Sequence, residues 1–100
     1  MIGFLGGTGP EGRSLALRLA IAKEEVAIGS RDATRAREAA QRIEVRGSNL
    51  RLAGAENAEV AYRADSLFVT IPYEGQAALL TSLAGALKGK VVVSFILQSL

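Results

Sequence analysis

The sequence predicts an α/β fold built on a doubly wound, parallel β-sheet. Short, strand-like runs alternate with longer segments of helical periodicity along the 100 residues, an order typical of right-handed β-α-β units. The strand-like runs are almost continuously apolar, as expected when helices cover both faces of a parallel sheet. A cluster of glycines directly follows the first of these runs. The predicted strand order is 3-2-1-4-5.

The first half of the chain predicts two strand–helix units. The first helix has Pro10 in its first turn and polar residues confined to one stripe, so most of its surface should be covered. Ser30 and Asp32 are both suitable N-caps for the second helix. The predicted elements are strands at Ile2–Leu5 and Glu25–Gly29, a helix from Glu11 to about Lys23 and a helix ending near Ile43.

The second half predicts three further strands with weaker signals between them. Pro72 is expected to end the fourth strand, and a Lys-Gly-Lys turn leads into the fifth. The predicted elements are a loop at Arg46–Asn49, a weak strand at Leu50–Ala53, at most a short helix at Asn57–Arg63, a strong strand at Ser66–Ile71, a helix at Tyr73–Leu87 and a strand at Val91–Ser94.

Composition excludes several classes of function. The chain has no cysteine and no histidine, a net charge of +2 and 49% hydrophobic residues. It therefore lacks disulfides, thiolate nucleophiles and the usual zinc ligands, and no metal site is predicted. No apolar run is long enough to cross a membrane, and no signal-peptide pattern opens the chain. Aromatic residues do not interleave with the arginines, so we expect a cytoplasmic protein that binds neither nucleic acid nor membrane.

The glycine cluster matches a dinucleotide-binding motif. Gly7-Thr8-Gly9-Pro10-Glu11-Gly12 is a G-x-G-x-x-G between a predicted strand and a predicted helix, which is the context the motif requires. Gly7 would permit the tight turn, Gly9 the approach of a pyrophosphate and Gly12 the close packing of helix on strand. The anion would lie on free N–H groups near Glu11 and Gly12. These features predict a Rossmann-type domain; the alternative is a glycine-rich turn without a ligand.

The end of the second strand predicts a preference for NADP(H) over NAD(H). An NAD site places a carboxylate there to bind the ribose 2′-hydroxyl, whereas this chain has Gly29-Ser30-Arg31. A guanidinium can hold a 2′-phosphate by paired hydrogen bonds, and Arg35, one helical turn later, could complete the clamp. Asp32 is interpreted as an N-cap directed at the helix backbone. The alternative is that both arginines are solvated surface residues.

The exit of the fourth strand is expected to contact the nicotinamide half of the cofactor. Strands one and four flank the switch point at which ligands bind in such sheets. Pro72 would fix the backbone and Tyr73 could stack on the cofactor, unless this segment is a plain strand-to-helix turn. Asp65 is interpreted as a turn residue, and no catalytic residue is predicted. The predicted cofactor-binding residues are Gly7, Thr8, Gly9, Pro10, Glu11, Gly12, Ser30, Arg31, Arg35, Thr70, Ile71, Pro72 and Tyr73.

These motifs together resemble the N-terminal domain of NADPH-dependent coenzyme F420 reductases, the deazaflavin-dependent NADP oxidoreductases. The resemblance is carried by Gly6-Gly7-Thr8-Gly9-x-x-Gly12, by Gly29-Ser30-Arg31, and by Ala64-Asp65 before an apolar strand ending Thr70-Ile71-Pro72. It covers essentially the whole chain. It implies reversible hydride transfer between NADP(H) and coenzyme F420, in which positioning matters more than a protein acid or base.

The resemblance also implies residue roles and a domain organisation. Thr8 would contact the pyrophosphate, while Ser30, Arg31 and Arg35 would hold the 2′-phosphate, and Ile71 and Pro72 would lie on the nicotinamide side. Residues 1–94 would form the NADP-binding domain. Residues 95–100 would begin a C-terminal segment that is truncated here, and a homodimer could form through the missing half.

Three other interpretations remain open from the sequence. The chain could be an NmrA-like or short-chain dehydrogenase-type protein, although Leu52-Ala53-Gly54-Ala55 lacks the aspartate usual after strand three in that class. It could be a relative of the β-hydroxyacid dehydrogenases or imine reductases with a different substrate domain. It could also be an NADP-binding module without catalysis.

Overall fold

A five-stranded parallel sheet, with helices on both faces, organises the chain. The computed structural model describes residues 1–44, 50–71 and 73–94. The strand order is β3-β2-β1-β4-β5, which confirms the predicted order. The elements are β1 Ile2–Leu5, α1 Pro10–Ile21, β2 Val26–Ser30, α2 Ala33–Glu44, β3 Leu52–Glu56, α3 Asn57–Arg63, β4 Ser66–Val69, α4 Tyr73–Ser82, α5 Ala84–Leu87 and β5 Val91–Ser94.

Side chains that alternate along the central strands supply two apolar clusters, one on each face of the sheet. Phe4 and Ile28 pack with α1 and α2, whereas Leu5 and Ala27 pack with α3 and the helices that follow β4. All five residues of β2 are buried. The Phe4 ring also stacks on Phe68, with ring centroids 5.3 Å apart. The sheet is therefore covered on both faces, as its continuous apolar strands predict.

The predicted positions of β2, β3 and β4 were wrong by one to three residues at their ends. β2 is shifted by one residue, and β4 ends at Val69 instead of Ile71. β3 spans Leu52–Glu56 rather than Leu50–Ala53. The register of β3 is set by its pairing with β2, from Val26 opposite Leu52 to Ser30 opposite Glu56. The loop predicted at 46–49 lies outside the described residues.

The helix predicted at 73–87 is two helices, α4 and α5, separated at Leu83. The Ser82 hydroxyl donates a hydrogen bond to the Leu79 carbonyl at 2.7 Å, and such bonding back to the preceding turn disturbs a helix. Leu80, Leu83 and Leu87 nevertheless pack on the same apolar cluster, as their spacing predicts.

Gly54 allows α2 to pack directly on β3. A Cβ atom at this position would lie 2.3 Å from the carbonyl carbon and oxygen of Ala36, which is backbone and cannot move aside. We expect Gly54→Ala to lower the free energy of unfolding by about 1–3 kcal/mol, the usual range for overpacking.

Gly85→Ala is the matched control, because a Cβ atom there meets no atom within 4 Å and Gly85 lies in α5. It should leave the free energy of unfolding unchanged or raise it slightly. Denaturant titrations of both variants test the packing argument, which fails if the two unfold at the same denaturant concentration.

Candidate functional site

A cavity of about 630 Å³ opens at the carboxyl ends of the parallel strands, a size in the range of small-molecule sites, about 300–1,000 Å³. Residues that follow β1, end β2, follow β3 and follow β4 all contribute to it. It therefore lies at the switch point between β1 and β4, where open α/β sheets bind ligands. Its lining residues are Gly6, Thr8, Ser30, Arg31, Arg35, Asn57, Ile71, Gly75, Ala78, Leu79 and Ser82.

The glycine loop turns at Gly6, so the role predicted for Gly7 was wrong. Gly6 has a φ of +68°, in the left-handed region that favours glycine. Gly7 is required for packing instead, because a Cβ atom there would lie 2.7 Å from that of Phe4. A Cβ atom on Gly12 would lie 3.0 Å from the Cα atom of Gly7, which agrees with its predicted role in close packing. Gly9 faces open space.

The amino end of α1 leaves backbone donors beside this loop. Helix α1 begins at Pro10, and its N-cap, Gly9, has no side chain with which to cap it. Within the part of the chain that the structure describes, no oxygen accepts a hydrogen bond from the N–H groups of Glu11 and Gly12. Free N–H groups and the positive end of the helix dipole together favour an anion at this point.

After β2, the side chain of Asp32 caps helix α2, whereas the side chain of Ser30 does not. The Asp32 carboxylate accepts a hydrogen bond from the Thr34 N–H at 2.8 Å, which confirms Asp32 as the N-cap of α2. The buried Ser30 hydroxyl accepts from the Asp32 N–H at 3.3 Å. Because a hydroxyl also carries one hydrogen to donate, Ser30 keeps a donor for a ligand in the cavity.

Arg31 and Arg35 bring two positive charges to the cavity, and both are exposed. The ion pairs among residues 1–44, 50–71 and 73–94 are Met1–Asp65, Glu25–Arg51 and Glu59–Arg63. Neither cavity arginine belongs to one of them, so no carboxylate in this part of the chain neutralises them. The β2 end of the cavity is therefore positively charged.

The exit of β4 is held by buried and partly buried hydrogen bonds. The Thr70 hydroxyl donates to the carbonyls of Leu5 and Gly6 at 3.4 and 3.3 Å, and it does not line the cavity. The Gln76 amide donates to the Ile71 carbonyl at 3.0 Å and accepts a hydrogen bond from the Ser94 hydroxyl. The backbone that carries Ile71 is thus tied to β1 and to β5.

Five of the predicted site residues line the cavity together: Thr8, Ser30, Arg31, Arg35 and Ile71. Pro72 and the Tyr73 side chain lie outside the described residues. The other six predicted residues are not among those that line the cavity: Gly7, Gly9, Pro10, Glu11, Gly12 and Thr70. Of these, Gly7 and Gly12 are needed for close packing.

Sequence reasoning missed Asn57 together with the residues contributed by α4. Placing the third strand at 50–53 put Asn57 four residues beyond its end, rather than directly after it. The signal that could have found it was a polar amide two residues after the Ala53-Gly54-Ala55 run, immediately beyond Glu56, the last residue of β3.

Asp65 lies at the opposite edge of the sheet, as its interpretation as a turn residue implies. Its carboxylate accepts a hydrogen bond from the Met1 ammonium group at 2.8 Å, and this bond and charge hold the pKa of Asp65 below its ordinary value. Among the residues described, no cluster of acidic side chains suitable for a metal ion occurs. No helix described here is both long and apolar enough to span a membrane.

Comparisons with known proteins identify relatives of this chain. Two curated proteins named F420-dependent NADP reductase are similar to this chain. The protein from Methanothermobacter marburgensis is 50% identical over 92% of this chain. The protein from Methanocaldococcus jannaschii is 40% identical over 93% of this chain. The chain spans 42% and 43% of the length of these two relatives.

A crystal structure from Arthrobacter sp. FB24, provisionally described as an F420-dependent NADP-reductase, superposes with a TM-score of 0.74 at 33% identity. This match covers 95% of the present chain and 44% of the other. The family model for coenzyme F420-dependent NADP oxidoreductases matches residues 1–98. The chain therefore belongs to the coenzyme F420-dependent NADP oxidoreductase family.

Proposed function

We propose that this chain is the NADP(H)-binding part of an enzyme that transfers hydride between NADP(H) and coenzyme F420. The observation that carries the proposal is the pair of arginines, Arg31 and Arg35, which face the cavity without an acidic partner among the described residues. The family and its relatives named F420-dependent NADP reductase support the choice of second substrate. We assign none of the described residues to coenzyme F420.

The β2 end of the cavity suits a 2′-phosphate. By analogy with phosphorylated side chains, that group carries about two negative charges near neutral pH. Arg31 and Arg35 supply positive charge and the Ser30 hydroxyl supplies a further donor. A carboxylate in the cavity would repel this phosphate. The Asp32 carboxylate instead accepts a hydrogen bond from the Thr34 N–H as the N-cap of α2, and Asp32 is not among the described residues that line the cavity. The donors at this end of the cavity therefore suit NADP(H).

The glycine loop suits the pyrophosphate. The N–H groups of Glu11 and Gly12 are free of partners among the described residues, and the open side of Gly9 leaves room for a ligand to approach the backbone. An anion at this point also meets the positive end of the α1 dipole, equivalent to about half an elementary charge. Thr8, which lines the cavity, lies next to these donors.

The remaining task of the chain is to position the nicotinamide. The bound coenzymes supply the hydride chemistry themselves, so the protein contributes mainly orientation. Ile71 forms part of the cavity wall, and Gln76 holds its backbone carbonyl. The described residues that line the cavity include no carboxylate, and the sequence has no histidine. We therefore propose that Ile71 and Pro72 orient the nicotinamide and that no described residue of the lining exchanges a proton with it.

The test is spectroscopic. NADPH and oxidised coenzyme F420 are mixed with the intact protein, and the absorbance of each is followed. We expect equimolar consumption of both, with much slower consumption when NADH replaces NADPH. NADPH binding without turnover would instead support an NADP-binding module without catalysis. Homodimer formation and a cytoplasmic location stay predictions.

A further inference from the structure

Asn57 connects the glycine loop to the carboxyl end of β3. It is the first residue of α3 and its side chain is buried, at 7% exposure. Its Oδ1 atom accepts a hydrogen bond from the Gly6 N–H at 3.0 Å. Gly6 is the residue at which the loop turns, with a φ of +68°. Asn57 therefore holds the loop at its turning point from a position 51 residues away in the chain.

The orientation of the Asn57 amide follows from this bond. A backbone N–H can only donate, so the carbonyl oxygen of the amide must face Gly6 and the NH₂ group must point elsewhere. Among the described residues, no acceptor is bonded to this NH₂ group, and it is not among the buried polar atoms that lack a partner. Because Asn57 lines the cavity, the NH₂ group is accessible from it.

Gly29, in β2, leaves room for the Asn57 side chain. A Cβ atom on Gly29 would lie 2.5 Å from the Asn57 Oδ1 atom and 2.9 Å from the Phe4 carbonyl oxygen. The Gly29 carbonyl in turn accepts a hydrogen bond from the Gly7 N–H at 2.9 Å. Gly6, Gly29 and Asn57 thus form one unit that joins β1, β2 and β3 beneath the cavity.

We propose that Asn57 binds the adenosine ribose of the dinucleotide, donating a hydrogen bond from its NH₂ group to a ribose or adjoining phosphate oxygen. The proposal rests on the proposed function, because it concerns the same cavity. The ribose carries the pyrophosphate on one side and the 2′-phosphate on the other. Asn57 contacts Gly6 of the pyrophosphate loop and packs against Gly29, which directly precedes Ser30 and Arg31. A donor between the two phosphate sites faces the ribose.

The variant Asn57→Asp distinguishes the proposed role of Asn57 in dinucleotide binding from its role in holding the glycine loop. Aspartate has nearly the same shape and keeps an acceptor for the Gly6 N–H, but it replaces the donor with a negatively charged acceptor. We expect its denaturation midpoint to stay close to the wild-type value, while the Kd rises at least tenfold for both NADPH and NADH, since both contain this ribose. Asn57→Ala removes both contacts and should lower stability as well as affinity.

Measurements on the intact protein distinguish failure of the proposed function from failure of the role proposed for Asn57. If the wild type binds neither dinucleotide, the proposed function fails. If it binds NADPH and Asn57→Asp binds it equally well, only the role of Asn57 is overturned. A second measurement needs no variant: the side-chain NH₂ resonances of Asn57 should shift on titration with NADPH and with NADH. Unchanged resonances in a saturated sample would overturn the role independently of how the variant folds.

Discussion

Arg31→Ala is expected to raise the Kd for NADPH at least tenfold and to leave the Kd for NADH unchanged. Arg31 lines the cavity, is exposed and has no ion-pair partner among the described residues. Its strongest interaction should therefore be with the 2′-phosphate, which NADH lacks. A tenfold change corresponds to about 1.4 kcal/mol, close to the value of about 1.5–3 kcal/mol for a hydrogen bond to a charged group.

Arg42→Ala is the matched control for this experiment. Arg42 is also exposed and lies in the last turn of α2, the helix that follows Arg31. Replacing either arginine by alanine changes the net charge by the same amount. Both Kd values should stay at the wild-type level in this variant. Calorimetric titrations of the three proteins with each dinucleotide give the comparison. Equal affinity of the wild type for NADPH and NADH would contradict the preference for NADP(H).

The salt dependence of binding gives an independent check. Exposed charges are screened over about 10 Å at 0.1 M ionic strength, so salt should weaken NADPH binding to the wild type more than NADPH binding to Arg31→Ala. Equal salt sensitivity would indicate that the guanidinium does not face the phosphate.

Gly6→Ala is expected to lower both stability and NADPH affinity. Alanine at a φ of +68° is strained, by about 1–2 kcal/mol for a left-handed residue. Its Cβ atom would also lie 1.9 Å from the Cγ2 atom of Ile71, so Ile71 must move. That displacement adds an overpacking cost of about 1–3 kcal/mol and disturbs a wall of the cavity.

Two further variants separate strain from collision. Gly89 has a φ of +78°, and a Cβ atom added to it would meet no atom within 4 Å, so Gly89→Ala reports the backbone strain alone. Adding Ile71→Ala to Gly6→Ala relieves the collision, and a double-mutant cycle then gives the coupling between the two positions. If Gly6→Ala and Gly89→Ala unfold at the same denaturant concentration, the contact with Ile71 contributes nothing.

The sequence by itself determined the features that depend on local patterns. Apolar runs and helical spacing indicated five strands in the order now observed, because covered parallel strands are apolar and their crossovers have one hand. Asp32 was identifiable as an N-cap, since capping involves residues two or three positions apart. Arg31 was identifiable as a cavity residue because it directly follows the carboxyl end of β2.

Only the tertiary structure decided the features that depend on distant contacts. The register of β3 follows from its pairing with β2 and from the packing of α2 on Gly54. Gly6 has the left-handed conformation of the turn, whereas Gly7 lies where a side chain would collide with Phe4. Asn57 reaches Gly6 across 51 residues of chain, and no local periodicity encodes a hydrogen bond between groups that only the packed sheet brings within 3.0 Å.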